Sequence, residues 1–63
     1  MKKMMVLQSM DDPMGTSTYA VPGSKYDYIS VEAAMAEGWD LVSVTVSRDA
    51  LPRYSFFFVG DFQ

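Results

Sequence analysis

The chain has 63 residues, no Cys, no His and a net charge of −3, from five Lys and Arg against eight Asp and Glu. A domain this small buries only roughly 60% of the surface its unfolded chain exposes, and without Cys or His neither disulfides nor the usual zinc sets can add stability, so self-association is the expected supplement. The cations Lys2, Lys3, Lys25, Arg48 and Arg53 form no basic stripe and the acids form no dense face, which argues against nucleic acid as a partner and against mimicry of it.

The first segment, "MKKMMVLQSM", has Met5 and Leu7 on one parity and Met4, Val6 and Met10 on the other. Apolar on both faces, it reads as a strand inside a sheet. Lys2 and Lys3 resemble the basic start of an export signal, but the apolar run after them ends at Gln8, short of the roughly 7 to 15 residues such a signal needs. With 49% hydrophobic residues and no long apolar run, the chain is expected to be one soluble globular domain over 1–63, cytoplasmic and without a membrane partner.

"DDPMG" follows as a turn, and "TSTYAVPG" offers either a short second strand or a loop closed by Pro22 and Gly23. A helix is predicted within "SKYDYISVEAAMAEG", with either Ser24 or Ser30 as N-cap and Gly38 as the stop. Ile29, Ala33 and Ala36 on one side, with Tyr28, Val31 and Met35 adjoining, make a broad apolar stripe. From Asp40 the period becomes 2, and Val42, Val44 and Val46 alternate with Ser43, Thr45 and Ser47 as in a half-buried strand. "RDALP" turns the chain into "RYSFFFVGDF", where Tyr54, Phe56 and Phe58 share one parity and Phe57 and Val59 the other. Such a strand belongs in the middle of a sheet. The expected fold is α+β, β-(β)-α-β-β: one helix on a small, mainly antiparallel sheet of three or four strands.

Trp39 falls where the helix ends and the strand begins. The expectation is a packing residue whose ring N–H finds a backbone carbonyl or water, with a partner anchor as the alternative role. A single short helix covers only one face of a sheet. Either Tyr54, Phe56 and Phe58 or Phe57 and Val59 must therefore face outward unless a second subunit covers them. The partner-binding candidates are Tyr54, Phe56, Phe58 and Trp39, in a homo-oligomeric sheet-to-sheet contact or against another protein.

The residues "MAEGWDLVSV", preceded by a short helix and followed by "RYSFFFV", resemble a family of small bacterial and phage domains of unknown function. The likeness covers roughly Tyr28 to Val59 and its specific core is "EGWDLV". It departs at Thr16 to Tyr26, and at Gly60 and Asp61, where the family tends to carry basic residues. It implies the fold and suggests a phage or mobile-element origin, and it implies no activity.

Without His or Cys the common general base and thiolate nucleophile are missing. No catalytic residue, metal site or cofactor is expected, and the chain does not read as an enzyme. Asp11 and Asp12 read as turn-formers, and "DDPMG" lacks calcium-loop spacing. The expectation is therefore a homodimeric regulator or inhibitor of another protein. The alternative is an oligomer that binds a nucleotide-like ligand between aromatic rings, with Lys25, Arg48 or Arg53 contributing charge.

Overall fold

The computed structural model describes residues 1–48 and 50–61. Asp49, in the predicted turn, and Phe62, at the end of the predicted last strand, lie outside the described residues. In chain order the elements are β1 (Lys2–Met10), β2 (Tyr19–Ala20), α1 (Val31–Ala36), β3 (Asp40–Ser47) and β4 (Arg53–Asp61). They form one antiparallel four-stranded sheet, in the order β2-β1-β4-β3, with the helix on one face. The architecture is α+β.

The centre of the sheet is the pairing of β1 with β4, from Lys2 opposite Asp61 to Met10 opposite Arg53. Both strands alternate, so Met5 and Leu7 fall on the same face as Phe56 and Phe58, and Val31 and Ala34 of α1 close the cluster over them. Ser9 is buried in the same row as Met5 and Leu7, and its hydroxyl is satisfied by donating to the Asp12 carbonyl at 2.6 Å. The run "TSTYAVPG" contributes only the two-residue β2, paired with Leu7 and Gln8. A turn follows in which Ser24 N–H donates to Val21 C=O, with Gly23 at φ +86 after Pro22, the positions a type II turn favours for Pro and Gly.

The helix is shorter than its predicted frame. Ser30 is the N-cap, extended at φ −160, with its hydroxyl accepting from Ala33 N–H. The Ser24 hydroxyl instead donates to Tyr26 C=O and accepts from Tyr26 N–H, which closes a local turn. Six residues leave only one pair of positions facing inward, Val31 and Ala34. Ile29, Met35 and Ala36, assigned to the apolar stripe, are exposed.

A helix of six residues is about 9 Å long and does not roof β3. Leu41, Val44 and Val46 pair with Phe58, Phe56 and Tyr54 and so point to the helix side, yet they remain exposed. The strand predicted to be half-buried is therefore an exposed edge. A bulge between Leu41 and Ser43 shifts its register against β4.

Candidate functional site

Gly38, at φ +102, ends the helix in a conformation that side chains with a Cβ resist. Its N–H donates to Met35 C=O, and the Trp39 N–H returns to Ala34 C=O at 3.2 Å. These two bonds turn the indole inward. The ring meets Tyr26 edge-on at 4.9 Å and 69°, and Nε1–H donates to the Tyr28 hydroxyl at 3.0 Å. The polar partner is thus a tyrosine hydroxyl, where a carbonyl or water was expected. Tyr26 and Tyr28, half-buried, alternate with exposed Asp27 and Ile29 in the segment before the helix. This period of 2 is the signal that places both tyrosines outside the helix.

Of the four residues expected to meet a partner, Trp39, Phe56 and Phe58 are 1%, 2% and 0% exposed, and Tyr54 is half-buried against the core. Their surfaces are occupied within the chain, which moves the outward-facing apolar set to the other parity of β4. Phe57 and Val59 lie opposite Val6 and Met4 of β1. These four side chains lie together on the face away from the helix, Met4 76% exposed and Val6, Phe57 and Val59 half-buried.

Polar groups border the patch. Lys2 and Asp61 pair across one end of the strands. Toward the other end the Gln8 amide donates to the Ser55 hydroxyl at 3.5 Å, and Arg53 follows. On β3 the same face carries Ser43, Thr45 and Ser47, opposite Phe57, Ser55 and Arg53. An apolar centre with a polar rim is the anatomy of a protein contact.

A cleft of about 580 Å³ lies elsewhere, between the loop after β1 and the helix, lined by Met14, Gly15, Val31 and Met35 among others. Among the described residues its one charged lining residue is Glu32; Lys25, Arg48 and Arg53 do not line it, and neither does any described aromatic ring. A phosphate-bearing ligand would meet a carboxylate there. The loop beside it is organised by Asp12, whose carboxylate accepts from the Thr16 hydroxyl and Ser17 N–H, both at 2.9 Å, and from Met14 N–H at 3.2 Å. The Thr16 hydroxyl bond, helped by these backbone donors against some desolvation, holds the Asp12 carboxyl below its ordinary range. Asp12 therefore acts as the loop's internal staple.

Among the described residues no group of three or more His, Cys, Asp and Glu is placed to hold a metal ion, and no helix is long and apolar enough to cross a membrane. A scan against protein-family models found no match, and searches of curated proteins and of solved structures returned none. The likeness of Tyr28 to Val59 to a small bacterial and phage family rests on the residues quoted for it.

Proposed function

We propose that the chain is a small protein-interaction module, a self-associating cytoplasmic regulator or inhibitor of another protein, and that it binds through the sheet face carrying Met4, Val6, Phe57 and Val59. One observation carries this reading. The helix covers the Phe56 and Phe58 side of the sheet, while the opposite side keeps an apolar patch inside a polar border. A phage or mobile-element origin is supported only by the family likeness and the small size.

The test is affinity isolation with the parent and three folded variants. Phe57→Lys and Met4→Lys should abolish retention of the bound protein, while Met35→Lys, on the exposed side of the helix, should leave it intact. Equal retention by all four chains would refute the assignment of the face.

The cleft supports a second, ligand-binding reading. Its size suits a small molecule, but its apolar walls and Glu32 favour an apolar or cationic ligand over a nucleotide. A thermal-shift screen should then show stabilisation by hydrophobic amines and none by nucleotides; no shift with any amine would remove this reading.

A further inference from the structure

We infer that the cleft between the loop after β1 and the helix is a site for a small amphiphilic monoamine, its ammonium on the Glu32 carboxylate and its apolar body against Met14, Val31 and Met35. The inference rests on the ligand-binding reading of the cleft and adds which group of the ligand each wall takes. The sheet face of Met4, Val6, Phe57 and Val59 plays no part in it.

Both walls of the cleft are held in place by the chain itself. One wall is the loop of Met14, Gly15 and Thr16, which the Asp12 carboxylate fixes by accepting from Met14 N–H, the Thr16 hydroxyl and Ser17 N–H. The other wall is α1, through Val31, Glu32, Met35 and Ala36. Val31 N–H donates to Gly15 C=O at 2.8 Å, and this bond between two buried residues ties the walls together. A site whose walls are already ordered loses little freedom on binding. Met14 and Met35 stand 77% and 52% exposed along it, and unbranched, polarizable thioether chains mould readily to an apolar body. The volume of about 580 Å³ lies in the range of small-molecule sites.

The charge of the ligand follows from which polar groups are already engaged. Asp12 Oδ1 accepts from Met14 N–H, and Oδ2 accepts from Thr16 and Ser17, so this carboxylate is used inside the loop. An anion finds few donors at the start of the helix, because Val31 N–H is bound to Gly15 and Ala33 N–H to the Ser30 hydroxyl. The Thr16 hydroxyl has given its hydrogen to Asp12 and presents a lone pair. Glu32 lines the cleft and makes no hydrogen bond or ion pair with any described residue. No Lys or Arg lines the cleft among the described residues. An ammonium, which only donates, matches a wall that offers one carboxylate and one hydroxyl acceptor. A single carboxylate balances a single cation, which selects a monoamine over a polyamine.

The test is an NMR titration of the full chain labelled with carbon-13 at the methionine methyls. The probes are hexylamine, protonated at neutral pH, and hexanol as its uncharged match. Hexylamine should shift the Met14 and Met35 signals saturably and leave those of Met4, on the far face, and of buried Met5 in place. Hexanol should bind about two- to fivefold more weakly, the effect of an ion pair open to water, and the gap should close in about 1 M salt. Glu32→Gln, at an exposed position, should keep the Met5 signal of the folded parent. It should also lower the affinity for hexylamine to that for hexanol and leave hexanol binding unchanged. Hexylamine binding that is equal in the parent and Glu32→Gln would overturn the inference and leave the cleft an apolar site. No shift of Met14 or Met35 with either compound would remove the ligand-binding reading as well. Met14 and Met35 signals that move with protein concentration alone would put a second copy in the cleft and likewise overturn the inference.

Discussion

Gly15 is the position where one added methyl group should cost most. Its φ is +68, and a Cβ built there would sit 2.3 Å from Val31 Cγ2 and 3.1 Å from Phe56 Cζ. Carbon contacts are comfortable at about 3.5 to 4.0 Å, so Val31 would have to retreat by more than an ångström. It cannot do so freely, because Val31 N–H donates to Gly15 C=O at 2.8 Å and Val31 is the first residue of the helix. Gly15→Ala should therefore cost about 1 to 2 kcal/mol for the left-handed backbone and about 1 to 3 kcal/mol for overpacking. That is a large share of the roughly 3 to 9 kcal/mol a chain of this length commands. Gly23 provides the control. Its φ is +86, but nothing lies within 4 Å of an added Cβ, so Gly23→Ala should show the backbone cost alone. Urea unfolding followed by Trp39 fluorescence would measure both as midpoint shifts at constant slope. In a Val31→Ala background the excess cost of Gly15→Ala over Gly23→Ala should shrink, because the methyl at 2.3 Å is gone, but not vanish, because the contacts at 3.1 Å to Phe56 Cζ and to the Cβ of residue 31 remain. Equal losses for Gly15→Ala and Gly23→Ala in the parent would refute the claim that Gly15 is needed for close packing.

Three further outcomes are expected. Ser30→Ala should lower stability by about 1 kcal/mol through loss of the cap, seen as a melting point about 4 to 8 °C lower, whereas Ser24→Ala should leave helix content unchanged by far-ultraviolet circular dichroism. Tyr28→Phe should cost about 1 kcal/mol in chemical denaturation, because it removes the hydroxyl that accepts from the buried Trp39 ring N–H. The Asp12 carboxyl has its pKa lowered on folding, so its contribution is complete above the unfolded value near 3.8 and is lost as pH falls toward the folded value. Asp12→Asn should accordingly be less stable than the parent at neutral pH, with the difference shrinking below pH about 4; a difference that does not change down to pH 2 would contradict the hydrogen-bonded carboxylate.

Periodicity made β1, β3 and β4 readable, and the Ser30 and Gly38 signals bracketed the helix. The tyrosines were misplaced because Tyr28 also fits a helical stripe with Val31 and Met35, and the competing alternation of Tyr26 and Tyr28 is only two residues long. Burial of β3 was not readable, since it depends on how far a six-residue helix reaches across the sheet. The orientation of β4 did leave a trace. Arg53, Ser55 and Asp61 share the parity of Phe57 and Val59, while Tyr54, Phe56, Phe58 and Gly60 share a parity with no charge. Residues that carry charge at both ends of a strand mark the face that meets water, and the uncharged row is the one the helix covers.

The pairing of the first strand with the last also orders the events of folding. The β3 and β4 hairpin is local and can close early, but Met10 meets Arg53 and Lys2 meets Asp61 only after most of the chain has been gathered in. Until β1 arrives, Phe56 and Phe58 have lost one of their two neighbouring strands, and the edge of β4 stands open beside three consecutive phenylalanines. Docking of Met5 and Leu7 onto that edge is the step expected to limit the rate, and also the step that ends the chain's exposure to aggregation.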